Sequence, residues 1–200
     1  MPDLFFDTET TGLPDYSLPV DHPKQPHIVQ LAAILIDDGG IERASLSVII
    51  KPEGWTIPEG AAAVHGISTE LATAVGIEIR AAIGVFLRLR RVASVLVAHN
   101  IKFDDFLIET STRRTFGVLI PGWQGERFCT MEAAAPIVDL PATDRMKAAG
   151  FNKPKPPKLS EAYRHFFSEE LEGAHDALVD VRACRRIYDH LKEIGKAAQE

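Results

Sequence analysis

Residues 4–12 read LFFDTETTG, and this stretch decides the fold. Its first three residues are apolar and its Thr-Thr-Gly end favours a turn, so the pattern predicts a buried strand that ends there. Side chains on a strand alternate between its two faces, so Asp7 and Glu9 should point to the same side. Ligands of open α/β sheets bind at the carboxyl edge, where this strand ends. Two carboxylates there would repel each other unless a divalent cation used both as ligands, although the same acids could instead cap the turn or face water.

The rest of the chain alternates between apolar runs and helically spaced apolar residues. Strands are predicted over residues 28–36, 44–50 and 92–98, with a hairpin turn at 37–40 and a weak strand end at 128–131. Helices are predicted over residues 78–91, 103–112 and 159–167 and from residue 177 onward, and loops over 52–60 and 152–158. Three strands followed by alternating helices and strands predict an α/β fold with helices on both faces of the sheet. No repeat or linker divides the chain, so residues 1–200 are expected to form a single domain.

Composition and charge restrict the class of protein. Hydrophobic residues make up 46% of the chain, which is typical of globular domains and excludes a disordered chain. The formal net charge of −6 argues against binding nucleic acid through bulk positive charge, but not against a partner whose phosphates meet bound metal ions. Cys129 and Cys184 have no zinc-site spacing, and neither a signal peptide nor a membrane span is recognisable. We therefore expect a cytoplasmic protein with reduced thiols.

Two further segments carry acids at the ends of predicted elements. Asp104 follows the apolar strand 92–98 near the start of a helix, where the helix dipole favours an acid without any function. His175 and Asp180 are five residues apart, which on a continuous helix places them about 140° apart. If both serve one site, His175 should lie in the loop before the helix and Asp180 in its first turns. Alternatively, Asp176 caps this helix and Asp180 lies on its solvated face.

Together these segments resemble the DnaQ-like DEDDh 3′–5′ exonucleases, which have the ribonuclease H-like fold. The matching motifs occur in the family's order and span most of the chain: FDTETTG at 6–12, VHGI at 64–67, HNIKFD at 99–104 and HDALVD at 175–180. The spacing His-x4-Asp in the last motif marks the DEDDh branch. The resemblance implies a single exonuclease domain built on a mixed sheet of about five strands with helices on both faces.

The resemblance also implies a catalytic site. Two Mg²⁺ or Mn²⁺ ions would be bound by Asp7, Glu9, Asp104 and Asp180, with Asp7 bridging them. His175 would accept a proton from the attacking water as the general base. The expected products are nucleoside 5′-monophosphates released from a 3′ end.

The family's nucleotide contacts map onto four further residues. By resemblance, Thr10 would contact the 3′-terminal nucleotide near its 3′-OH, and Val64, His65 and Phe103 would form a wall against its base and sugar. Core packing explains Val64 and Phe103 equally well, and His65 could be a loop residue without a ligand. The lysine-rich loop 153–158 and the tryptophans Trp55 and Trp123 are further candidates for substrate contact, although surface packing explains the tryptophans as well.

Several functions fit these motifs. The first hypothesis is a stand-alone exonuclease that acts on single-stranded DNA 3′ ends. An oligoribonuclease or RNA-trimming exoribonuclease of the same family is an alternative, because no residue decides whether a 2′-OH is tolerated. A proofreading subunit of a DNA polymerase is another, although the sequence has no tail beyond the helix that carries Asp180. A catalytically inactive nucleic-acid-binding module is disfavoured because the four acids and His175 are all present. Many family members form homodimers, but no surface in the sequence identifies an interface.

Overall fold

The structure, a computed structural model, describes residues 2–118 and 125–197. Within them, five strands form one mixed sheet in the order β3-β2-β1-β4-β5. The strands are β1 (Asp3–Thr10), β2 (Ile28–Ile36), β3 (Glu42–Ile49), β4 (Val95–Ala98) and β5 (Glu126–Cys129). β2 is antiparallel to both β1 and β3, whereas β4 is parallel to both β1 and β5. The predicted mixed sheet is confirmed, and β1 lies at its centre.

The parallel pairing of β1 and β4 places their carboxyl ends at the same edge of the sheet. Phe5 on β1 lies opposite Val97 on β4, so the chain leaves both strands on the same side. β2 begins at this edge, where Glu9 of β1 lies opposite Gln30. The register of β1 and β2 shifts between Glu9 and Thr10. Polar residues that follow β1 and β4 are therefore brought close together, although they are almost 100 residues apart in sequence.

Helices cover both faces of the sheet, as predicted. They are α1 (Glu59–His65), α2 (Thr69–Val75), α3 (Ile79–Val92), α4 (Ile101–Phe116), α5 (Thr130–Val138), α6 (Asp144–Ala148), α7 (Leu159–Phe167) and α8 (Ala177–Ala197). Leu4 and Phe6 of β1 point to the face that α3 and α4 cover, where they join a buried apolar cluster. Phe5 points to the opposite face, where it packs against α8. Because successive side chains of β1 point to opposite faces of the sheet, they join two separate apolar cores, one on each face.

Several elements differ from the sequence-based predictions: α4 is longer at both ends, the sequence does not predict α5 and α6, and three further differences concern element ends. The strand predicted over 92–98 begins only at Val95, because α3 continues through Val92. The loop predicted over 52–60 ends two residues earlier, because α1 begins at Glu59 and its first turn is hydrogen-bonded to the carbonyl oxygen of Pro58. The weak strand at 128–131 ends at Cys129, and Thr130 begins α5. All three differences are at element ends, where turn residues such as proline and glycine are compatible with more than one structure.

The described residues also bear on a membrane location. In residues 2–118 and 125–197, no helix combines the length and the apolar character needed to cross a bilayer.

Candidate active site

Asp7 and Glu9 lie on the α8 side of β1. Phe5, two residues before Asp7, packs edge-to-face against Tyr188 of α8 with ring centroids 5.2 Å apart. Because side chains two apart on a strand share a face, Asp7 and Glu9 extend this face toward the edge of the sheet. Both acids are partly buried. The prediction that they point to the same side is consistent with this packing.

Asp104 reaches the same edge from α4. This helix begins at Ile101, directly after Asn100, whose φ of 77° turns the chain sharply at the end of β4. The backbone N–H of Thr8 and its hydroxyl both donate to Oδ1 of Asp104, at 3.0 and 2.8 Å. The Asp104 side chain is therefore bound to the strand that carries Asp7 and Glu9. Its other oxygen, Oδ2, is buried without a hydrogen-bond partner.

The start of α8 is fixed to β2 by one buried glutamine. The backbone N–H of Ala177 donates to Oε1 of Gln30 at 3.2 Å, and Nε2 of Gln30 donates to Oδ2 of Asp176 at 3.3 Å. Oδ1 of Asp176 accepts from the backbone N–H groups of Leu178 and Val179, which caps the helix. Asp176 is therefore a cap, as one interpretation of the sequence held, and this cap helps to aim the first turn of α8 at β1.

His175 and Asp180 meet at this helix start. His175 lies in the loop before α8 with a φ of 71°, and its exposed side chain stands at the mouth of the site. Its backbone N–H donates to Oδ2 of Asp180 at 3.1 Å. One ligand atom each from Glu9, His175 and Asp180 lie within 4.8 Å of one another. Asp180 itself is buried, so the solvated-face alternative is wrong, and the predicted loop position of His175 is confirmed.

Burial raises the pKa values of all four acids. Burial raises the pKa of Asp7 well above its usual range, and the charges of its neighbours raise it further; in decreasing order these are Asp104, Asp180, Glu9 and Asp176. Burial, followed by the charges of Asp180 and Asp104, raises the pKa of Glu9 to about 8. Burial also raises the pKa of Asp180 to about 6. For Asp104 burial raises the pKa to about 8, although the hydrogen bonds from Thr8 lower it. The carboxylates therefore lie within electrostatic reach of one another in a poorly solvated site.

This donor set fits divalent cations. All four acids offer oxygen, which Mg²⁺ and Mn²⁺ prefer. Oδ2 of Asp104 and Oδ1 of Asp180 are buried without a hydrogen-bond partner, so each has a lone pair free for a ligand. A cation would also offset the burial of these charges and the repulsion that raises the pKa values of Asp7 and Glu9.

The four residues predicted to contact the nucleotide differ in their exposure and in their hydrogen-bond partners. The hydroxyl of Thr10 donates to the carbonyl oxygen of Gly12 at 2.7 Å, which stabilises the turn after β1. His65 lies close to both Thr10 and His175, since the Thr10 carbonyl raises its pKa and the His175 charge lowers it, while burial lowers it most. Val64 is 54% exposed on α1. Phe103 is partly buried and packs against the core beneath α4, so it does not stand free in the site.

The other aromatic and basic candidates have structural partners. Trp55 stacks on His27 with ring centroids 4.6 Å apart, which supports the packing interpretation. Trp123 lies outside the described residues. In the loop 153–158, Nζ of Lys155 is bound to both carboxylate oxygens of Glu161 at 2.7 Å.

Several further residues, to which the sequence pattern assigns no role in the site, help to build it. His99 connects the end of β4 to the loop before α7, because its Nε2 donates to the carbonyl oxygen of Pro157 at 3.0 Å, which leaves Nδ1 to accept from the hydroxyl of Thr130. Gln30 could have been found, since it is the polar residue in the otherwise apolar strand IVQLAAILI. Tyr16, in the loop after β1, lies near Asp104, whose charge contributes after burial to raising the tyrosine's pKa. Nothing in the sequence pattern marks Tyr16.

Comparisons with known proteins agree with this geometry. A family model described as "Exonuclease" (RNase_T) matches residues 4–188. The structure is similar to E. coli exonuclease I in complex with a dT13 oligonucleotide, with a TM-score of 0.70 and 24% sequence identity over 95% of this chain and 40% of that chain. It is also similar to a product-bound structure of exonuclease I, with a TM-score of 0.71 and 23% identity over 96% of this chain and 43% of that chain.

A zinc-bound structure of the E. coli enzyme with single-stranded DNA gives a TM-score of 0.69 and 23% identity over 95% of this chain and 40% of that chain. The present chain therefore spans less than half the length of the exonuclease I chains it matches. A search of curated protein sequences gave no significant match. The family match covers both strands and helices that build the acidic site, and it confirms the predicted resemblance to the DnaQ-like exonucleases. This chain belongs to the exonuclease family.

Proposed function

We propose that this protein is a metal-dependent 3′→5′ exonuclease that removes nucleoside 5′-monophosphates from single-stranded DNA. The observation that carries the proposal is that ligand atoms of Glu9, His175 and Asp180 lie within 4.8 Å of one another, while Asp104 is hydrogen-bonded to Thr8, the residue between Asp7 and Glu9. The similar exonuclease I structures contain single-stranded oligonucleotides, which supports DNA as the substrate class. The proposal treats residues 1–200 as one exonuclease domain that acts without a polymerase subunit in the cytoplasm.

In this proposal two Mg²⁺ or Mn²⁺ ions are held by Asp7, Glu9, Asp104 and Asp180. Asp7 would be the ligand that the two ions share, as the family resemblance implies, and the other three acids lie within electrostatic reach of it. When bound, the cations supply positive charge that stabilises the transition state of phosphodiester hydrolysis. The protein's part is to hold the ligand oxygens in place. Thr8 does this for Asp104, and Gln30 does it for the helix start that carries Asp180.

His175 is the proposed general base. Its side chain is exposed and has a ligand atom within 4.8 Å of oxygens of Glu9 and Asp180, so a water that approaches the acids also approaches the imidazole. A neutral imidazole nitrogen can accept the proton of that water. The hydrogen bond from the His175 backbone to Asp180 fixes the loop and therefore the position of the ring.

Thr10, Val64, His65 and Phe103 are proposed to hold the terminal nucleotide. His65 is the best supported of the four, because it lies near both Thr10 and His175. Nδ1 of His65 accepts from the backbone N–H of Ile67 at 3.1 Å, so the neutral ring carries its proton on Nε2. Val64 is exposed close by in sequence and can offer apolar contact to a sugar or base.

The test is digestion of a 5′-labelled single-stranded DNA in Mg²⁺ or Mn²⁺, beside matched RNA, duplex DNA and an oligonucleotide with a blocked 3′ end. We expect a ladder of shortened labelled DNA and release of 5′-mononucleotides, only from free 3′ ends. Asp7→Asn should abolish the products, whereas Asp144→Asn, a change at an exposed acid of α6, should not. Faster digestion of RNA would favour an exoribonuclease, and binding without turnover would favour an inactive module.

A further inference from the structure

A groove follows one side of α4 away from the acidic site. It has a volume of about 460 Å³ and begins beside Ile101, at the N-terminal end of α4, the helix that carries Asp104. Its α4 residues lie three or four positions apart, so they form one stripe along the helix. The charged residues that line it are Arg90, Lys102, Asp105, Glu109, Arg113 and Arg127. We call this feature the α4 groove.

The solvent-accessible cations that line the α4 groove are held in ion pairs. They are Lys102, Arg113 and Arg127, whereas Arg90 is buried at 7% exposure. Lys102 is paired with Glu132 at 2.9 Å, Arg113 with Glu109 at 2.8 Å and Arg127 with Asp105 at 2.6 Å. Ion pairs of this kind near the surface contribute little stability, so a phosphate can share or replace these carboxylates at small cost.

An aromatic pair lies beside the α4 groove. Tyr16, from the loop after β1, meets Phe106 edge-to-face with ring centroids 5.0 Å apart. Phe106 lines the α4 groove and points to a different side of α4 from Asp104, which is two residues earlier. Tyr16 is 62% exposed, so most of its ring is open to solvent. An exposed aromatic ring beside a cationic groove is the combination that binds single-stranded nucleic acid without sequence preference.

We propose that the Tyr16–Phe106 pair stacks on the base of the second or third nucleotide from the 3′ end, and that the α4 groove binds the phosphates that follow it. This inference rests on the proposed function, because it assumes that the 3′ end lies among the four acids. A base can stack on Tyr16 only when it is unpaired, so the pair also provides a preference for single-stranded over duplex substrates. The plain alternative is that Tyr16 packs on Phe106 only to hold the loop against α4.

Binding measurements separate these two roles. Fluorescence anisotropy of 5′-labelled oligothymidylates is measured in Ca²⁺, which takes the same oxygen ligands. Tyr16→Ala should raise Kd by roughly tenfold or more, the effect of losing one stacked base. Tyr16→Phe, which keeps the ring, should bind like the parent. Ile41→Ala is the matched control, because Ile41 is an exposed apolar residue in the hairpin at the other end of β1.

Abasic substrates identify the base concerned. With an abasic site at the second or third nucleotide, one of the two positions should erase the difference between Tyr16→Ala and the parent. If the loss in Tyr16→Ala is the same on every abasic substrate, or if Kd does not change, the stacking role is refuted. The double substitution Glu109→Gln/Arg113→Gln removes one ion pair of the groove. It should lower the slope of log Kd against log salt by about 0.7 per lost phosphate contact, and an unchanged slope would refute the groove's role.

The proposed function can fail separately. If the parent binds these oligonucleotides in Ca²⁺ but hydrolyses none in Mg²⁺ or Mn²⁺, the exonuclease proposal is wrong, and the Kd values still decide the role of Tyr16. If the parent hydrolyses DNA while Tyr16→Ala binds normally, the exonuclease proposal stands and the stacking proposal is refuted. Absence of any oligonucleotide binding by the parent refutes the stacking proposal too.

Discussion

Replacement of Asp180 by asparagine should stabilise the metal-free protein and abolish its activity. Asp180 is only 8% exposed, and burial raises its pKa to about 6. Asparagine keeps the shape of the side chain, and its oxygen can still accept the hydrogen bond from the backbone N–H of His175. The substitution therefore removes the buried charge and little else.

The magnitude follows from the pKa. An aspartate in an unfolded chain titrates near pH 3.9, so a folded-state value about two units higher corresponds to about 3 kcal/mol of destabilisation by the ionised form. For a domain of this size, 1 kcal/mol changes Tm by about 2–4 °C. Some of the gain is lost because asparagine leaves an amide to be solvated, so we expect Asp180→Asn to raise Tm in EDTA by about 4–10 °C at pH 8.

The gain in stability from Asp180→Asn should depend on pH. Between pH 4 and pH 6 the folded protein binds a proton at Asp180 that the unfolded chain has lost, so the stability of the parent falls as pH rises through this range. Below this range Asp180 is neutral in both states, and the substitution should have no effect through its charge. The gain in Tm should therefore be near zero at pH 4 and complete above pH 7.

The assay is thermal unfolding of both proteins in EDTA from pH 4 to pH 8, repeated with Mg²⁺. Mg²⁺ should raise the Tm of the parent more than that of the variant, because cation binding stabilises only the folded state that has the ligands. Asp144→Asn, a change at a fully exposed acid, is the control and should show neither effect. A lower Tm for Asp180→Asn in EDTA at pH 8, or a gain that is the same at pH 4, would refute this account of the acidic cluster.

Three other results are expected. His175→Ala should lower kcat by about 10²–10⁴-fold, the usual contribution of a general base, and leave Mn²⁺ affinity within twofold; unchanged turnover would exclude His175 as the base. EDTA should stop hydrolysis. The Mg²⁺ concentration that restores half the rate should rise as pH falls from 8 to 6, because protons compete with the cation at Glu9, whose pKa is about 8. The same half-maximal Mg²⁺ concentration at every pH would contradict this. Thr8→Val deletes the hydroxyl that donates to Asp104, so it should lower the free energy of unfolding by about 1 kcal/mol in urea titrations and weaken Mn²⁺ binding. Equal Mn²⁺ affinity in the variant and the parent would show that this hydrogen bond does not position Asp104.

Local periodicity predicted the parts of the site that depend on one element. The two-residue repeat of a strand was enough to place Asp7 and Glu9 on one face. The angle between residues five apart on a helix was enough to place His175 in a loop and Asp180 on the helix. The mixed sheet with helices on both faces was predicted from the order of the apolar segments. Each segment was long enough to show either the two-residue spacing of a strand or the three-to-four-residue spacing of a helix.

Contacts between distant segments were not predictable from the residues alone. The hydrogen bonds from Thr8 to Asp104 join residues 96 positions apart, and those from Gln30 to the start of α8 join residues almost 150 apart. Such contacts depend on the tertiary arrangement of strands and helices. The position of Tyr16 beside Phe106 depends on the path of a long loop, for which the sequence has no period at all.

The central claim is that four distant acids bind a pair of cations, and counting those cations tests it most directly. Mn²⁺ bound per chain can be measured by electron paramagnetic resonance at pH 8 with a nucleoside 5′-monophosphate present. We predict two Mn²⁺ ions per chain for the parent and at most one for Asp7→Ala, which lacks the proposed bridging ligand. Absence of bound Mn²⁺ in the parent, or two ions in both proteins, would contradict the account.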